Sequence, residues 1–94
     1  MSIFYIKRGD TSPSLLYRVS ANLVGATVVF NLRGVLSRQP ATIQDDTLRY
    51  DWGPTDTSAP GIYEAEFEVT YADSSVETFP NNSFITVKII GDIA

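Results

Sequence analysis

Three glutamates, Glu64, Glu66 and Glu68, alternate with apolar residues in the run Ile62–Tyr71. Grouped carboxylates are what general acid–base catalysis or a divalent cation requires. On a strand, however, alternate residues share a face at a spacing of about 6.5–7 Å. One ion cannot be held across that spacing without ligands from another strand. The pattern reads as a solvated strand face, balanced by Arg33, Arg49 or Lys88 across the sheet. Asp45-Asp46 and Asp51…Asp56 lack calcium-loop spacing and read as turn formers. Arg8-Gly9-Asp10 matches the tripeptide that integrins recognise, yet Gly and Asp are also the residues of a tight turn. Asn81-Asn82-Ser83 fits the glycosylation acceptor pattern and reads as turn chemistry as well.

The residues that are missing narrow the chemistry further. The 94-residue chain has no His and no Cys. The commonest general base, the commonest metal ligand, the thiolate nucleophile and the disulfide are all absent. The serines have no histidine to activate them and no Gly-x-Ser-x-Gly elbow, and no Gly-rich phosphate loop is present. The expectation is a protein that is not an enzyme, with no catalytic residue, no cofactor and no metal. Seven basic residues against eleven acidic give a net charge of −4, and the basic ones are scattered. No basic stripe tracks a phosphate backbone, so nucleic acid is not an expected partner. No apolar run approaches the ~18–20 residues of a membrane span, and the start of the chain lacks a signal-peptide layout.

The elements follow from composition and alternation. Val, Ile and Thr make up 25 of the residues and aromatics 11, a β-rich mixture. Turn residues recur at short intervals, which suggests one sandwich or barrel domain over residues 1–94. Val28, Phe30 and Leu32 share a face in Ala26–Arg33, and Leu48, Tyr50 and Trp52 do so in Thr47–Trp52. Tyr63, Ala65, Phe67, Val69 and Tyr71 oppose the glutamates. Ile3–Lys7, Ser14–Val19, Val76–Phe79 and Ser83–Ile90 are further strands. Ile62–Tyr71 and Val76–Phe79 form a hairpin that Pro80 ends.

Asp56…Pro60-Gly61-Ile62-Tyr63 is similar to the corner of immunoglobulin-like domains, where a Tyr hydroxyl bonds back to the upstream backbone. That places a structural corner at Asp56, Gly61 and Tyr63, with Tyr63 buried. A wider set of residues points the same way. It comprises Lys7-Arg8-Gly9-Asp10-Thr11, Leu23–Val28, Leu48-Arg49-Tyr50-Asp51-Trp52, Asp56-Thr57, Pro60–Phe67 and Glu77-Thr78-Phe79-Pro80. In order and spacing, over about residues 5 to 90, the chain resembles the immunoglobulin-like N-terminal domain of phage baseplate upper proteins and related small phage virion proteins. The resemblance implies an all-β, immunoglobulin-like antiparallel β-sandwich of about seven strands, without a disulfide. It also implies a structural role, docking on other virion proteins, and no catalytic residues.

The chain ends at Ala94, just after the last strand, so the expectation is a free-standing module. Capsid decoration (a cement protein) leads, with a tail, neck or baseplate adaptor as the alternative. A carbohydrate- or receptor-binding module is the further alternative; Trp52 would be its stacking residue, but its parity puts it in the core. The expected location is the virion, assembled in the host bacterial cytoplasm, with self-association there a further expectation. Leu16, Val29, Phe84 and Ile90 fall on the wrong parity for the core, together with Phe4 or Ile6. They are the candidate docking patch, or else β-bulges that enlarge the core.

Overall fold

A computed structural model describes residues 2–93. Nine strands run in chain order: β1 (Ile3–Lys7), β2 (Leu15–Arg18), β3 (Thr27–Leu32), β4 (Leu36–Pro40), β5 (Thr42–Gln44), β6 (Thr47–Tyr50), β7 (Gly61–Thr70), β8 (Val76–Phe79) and β9 (Ile85–Ile90). The described residues hold no helix. The larger sheet has the order β1-β9-β7-β3-β4, with β8 paired to the far half of β7. The smaller sheet has the order β2-β6-β5. The two stack as a sandwich, and no disulfide joins them.

Alternation explains which side of each strand is dry. Val28, Phe30 and Leu32 of β3, Ala65, Phe67 and Val69 of β7, and Ile85, Val87 and Ile89 of β9 all point inward and are buried. Leu15, Leu48 and Tyr50 face them from the smaller sheet, with Trp52 just beyond β6. Aromatic rings tie the two layers. Phe30 stacks on Tyr50 across the core at 4.3 Å between centroids and leans on its register partner Phe67 at 5.0 Å. Trp52 meets both Phe30 and Tyr50 edge to face. Such contacts add roughly 0.5–1.5 kcal/mol each beyond the area they bury.

Three features differ from the sequence expectation. Among the described residues the strand count is nine, not about seven, because β4 and β5 are present. Both lie at sheet edges and neither has a fully buried residue. No inward run therefore marked them. The sandwich is also not wholly antiparallel: β1 runs parallel to β9, with Ile3 opposite Thr86 and Lys7 opposite Ile90. Alternation specifies faces and carries no strand direction. Finally, the partner side of β7 is shared. β9 pairs with Gly61–Ala65 and β8 with Phe67–Thr70, with Pro80 in the break between them.

The corner lies where the chain passes from the smaller sheet into β7. The Tyr63 hydroxyl donates to the Ala59 carbonyl at 2.7 Å, as the sequence pattern predicts. Tyr63 is half-buried rather than buried, because the ring lies against Gly61 at the rim of the core. A Cβ on Gly61 would sit 3.2 Å from the Tyr63 hydroxyl, and its φ of +156° favours glycine in any case. Asp56 closes the adjacent turn: its Oδ2 accepts from the Gly53 N–H at 2.6 Å and from the Tyr50 hydroxyl at 2.5 Å. Burial, and then this bond to Asp56, raise the pKa of Tyr50 above its ordinary value.

Candidate docking face

The outer surface of the larger sheet is built by the residues that alternate with the core. Register places Tyr5, Lys88 and Ile62 side by side on β1, β9 and β7. Ile3, Thr86 and Glu64 form the next row, and Lys7 and Ile90 pair on the other side. Ile62 is 72% exposed and Tyr5 is 55% exposed, and Ile3 and Ile90 are exposed beside them. The Lys88 ammonium lies 5.6 Å from the Tyr5 ring centroid, a cation–π contact inside this apolar group. A shallow depression next to it is lined by Tyr5, Ile90 and Pro13.

The other half of the same face is acidic and largely paired. Arg33 reaches Glu64 at 2.8 Å, and Arg38 reaches Glu68 at 2.5 Å. Glu66 has only a long contact of 3.5 Å from the Asn31 amide. Of the three expected balancing cations, Arg33 takes that role. Arg49 instead bonds Asp51 at 2.8 Å, and Lys88 lies over Tyr5. Arg38 falls outside the expected set, because it lies on a strand the pattern missed. Its backbone N–H bonds the Asn31 side chain at 2.7 Å, where the β3–β4 register shifts. Phe84 stands beside this half with the Arg33 guanidinium 5.1 Å from its ring centroid. Phe84 also lines a shallow hollow of about 270 Å³ with Glu64, Glu66, Asn31 and Ser37.

The four candidate patch residues do not form one cluster. Ile90 belongs to the apolar half. Phe84 and Val29 lie toward the acidic half, where Val29 is half-buried with Glu68 and Pro40 as register partners. Leu16 is 59% exposed but sits on the smaller sheet. Phe4 and Ile6 pack inward, and Ile3 and Tyr5 take the outward parity in their place. Ile3-Phe4-Tyr5-Ile6 is apolar at every position, so parity alone could not assign it.

The other motifs settle into turns. Arg8 pairs with Asp92 at 2.9 Å, Gly9 has φ +82°, and the Asp10 N–H returns to the Lys7 carbonyl at 3.1 Å. The Gly9 N–H also bonds the Thr57 carbonyl at 3.2 Å. The Asn81 amide donates to the Thr78 carbonyl at 2.9 Å and holds the bend after β8. Trp52 is 4% exposed and its Nε1 is buried without a hydrogen-bond partner. Among the described residues, no group of three or more His, Cys, Asp or Glu side chains could hold a metal ion, and no helix is long and apolar enough to cross a membrane.

Comparison with known proteins gave no match: no family model fits the chain, and no curated protein or solved structure is significantly similar to it.

Proposed function

We propose that this chain is a non-enzymatic structural module of a bacteriophage virion, which docks on other virion proteins through the outer face of its larger sheet. The observation that carries the reading is the exposed apolar group Ile3, Tyr5, Ile62 and Ile90, gathered by register on one sheet face. A sheet face that only meets water alternates apolar-in with polar-out. This one breaks that rule over three adjacent strands, and contiguous exposed apolar patches mark interaction sites. The strand connectivity supports the immunoglobulin-like part of the reading. In that fold B, E and D lie on one sheet, where this chain has β2, β6 and β5. C, F and G lie on the other, where it has β3, β7 and β9, and β4 is the added strand beside C.

Within the virion, capsid decoration is the leading position and a tail, neck or baseplate adaptor the alternative. A carbohydrate-binding reading based on Trp52 loses its support, since a buried indole cannot stack on a sugar. Two measurements test the proposal. Copy number per particle, from a stained gel of purified virions, should be in the hundreds for decoration and about six to a dozen for an adaptor under closed cyclic symmetry. Ile62→Asp should abolish incorporation while the isolated protein keeps its β-sheet circular dichroism. Full incorporation of folded Ile62→Asp would remove this face from the reading, and absence of the protein from virions would remove the reading itself.

A further inference from the structure

We propose that the outer face of the larger sheet binds a second copy of this chain, as a two-fold dimer that seats Lys88 of each copy against Glu66 of the other. The inference rests on the contact face of that reading but does not require the virion role: the free protein pairs through this face, and docking on a virion protein through it would take the place of the second copy. It begins from an imbalance of charge. On this face Glu64 and Glu68 have arginine partners, whereas Lys7, Lys88 and Glu66 are in no ion pair among the described residues. Free cations and free anion sit at opposite ends of one surface, with the cations among exposed apolar side chains.

Register fixes how far apart they are. Lys88 is the partner of Ile62 on the adjacent strand, and Glu66 lies four residues further along β7. With about 3.4 Å per residue and about 4.8 Å between strands, Lys88 and Glu66 are roughly 14 Å apart. Consider two copies face to face, related by a two-fold axis lying between them. If the axis crosses the strands beside the register pair Glu64–Thr86, slanted by about 20° from the perpendicular, Lys88 lands on Glu66 of the other copy. The remaining pairs are then fixed by the same operation. Lys7 lands on Glu68, Tyr5 on Phe84, and Ile90 on Val29. Every contact occurs twice, as an isologous interface requires. Glu64 lies near the axis and meets its own copy, but each Glu64 is neutralised by its Arg33. Three of the four wrong-parity residues, scattered on a single chain, thus become one contact surface in the pair.

The face is about 19 Å wide and 27 Å long by strand spacing, or roughly 500 Å² per copy. A total near 1,000 Å² is at the lower limit for a specific interface, so the dimer is weak and concentration-dependent.

The test uses the purified full chain in sedimentation equilibrium over a range of concentrations. The wild type should show a reversible monomer–dimer equilibrium. Lys88→Glu and Glu66→Lys each place like charges opposite one another twice, and each alone should weaken dimerisation by at least about tenfold. An equimolar mixture of the two variants should restore it, because both contacts of the mixed pair again join a lysine to a glutamate. A wild type that remains monomeric at every concentration, single variants that dimerise normally, or a mixture that stays monomeric would each overturn the proposal. If either variant fails to fold, Lys7→Glu and Glu68→Lys pose the same question at the second charged contact. Monomers that still enter virions would refute the dimer and leave the proposed function standing, and dimers absent from virions would do the reverse.

Discussion

Tyr63 shows how much one residue type at one spacing can carry. Its hydroxyl bond to Ala59 was legible in Gly61-Ile62-Tyr63 because the corner is local: donor and acceptor lie four residues apart. Tyr63→Phe keeps the ring and deletes that bond, so urea unfolding should show a loss of about 1 kcal/mol or somewhat less, given the half-exposed site. Unchanged stability would mean the bond is matched by water. Thr57 was not legible. It is fully buried, and its Oγ1 donates to the Asp10 carbonyl at 2.9 Å, 47 residues away. Nothing in the spacing of Thr57 encodes a partner so distant. Thr57→Val conserves the shape but leaves that carbonyl without its donor. The expected cost is about 1–2 kcal/mol, larger than for Tyr63→Phe because the site is dry. If the two variants melt in the opposite order, burial is not what sets the worth of these bonds.

At the scale of the element, long strands with a buried face were readable and short edge strands were not. β7 has ten residues with an unbroken alternation, and its hairpin with β8 follows from Asp73-Ser74-Ser75 and Pro80. In that turn the Asp73 side chain accepts from the Ser75 hydroxyl at 2.6 Å and from its N–H at 2.9 Å. β4 and β5 have no such buried row, and the direction of β1 depends on β9, at the opposite end of the chain. Pairing predicts an order of local stability. Ala65–Thr70 of β7 is flanked by β3 throughout, and by β9 and then β8 on its other side. β5 has three residues at an edge. Hydrogen exchange should therefore be slowest at Phe67 and Val69 and fastest, among the strands, in β5. Protection of β5 equal to that of β7 would indicate that the edge is covered, and would mean that another chain adds there.

For the molecule as a whole, the five ion pairs among the described residues are surface features and contribute little individually. Two of them, Arg18–Asp46 and Arg49–Asp51, leave a mark in the response to pH. The Arg18 guanidinium bonded to Asp46 lowers the pKa of that carboxyl. The Ser14 hydroxyl, and then Arg49, do the same for Asp51, and the Ser75 hydroxyl and N–H do so for Asp73. A carboxyl whose folded pKa is depressed binds its proton first in the unfolded chain. The stability it contributes is therefore present above the ordinary aspartate value of 3.8 and is lost as pH falls through the lower folded value. Tyr50 acts at the other limit. Its folded pKa is raised, so the unfolded chain loses the phenolic proton first, and stability declines as pH rises past the ordinary value of 10.0. With no histidine and no cysteine in the chain, no side chain has an ordinary pKa between about 5 and about 9. The melting temperature should thus be nearly flat from about pH 5 to about pH 9 and fall on both sides. Asp51→Asn should shallow the acid limb and Tyr50→Phe the alkaline limb, each leaving the other unaltered. A pronounced slope near neutral pH would show that groups beyond these set the stability.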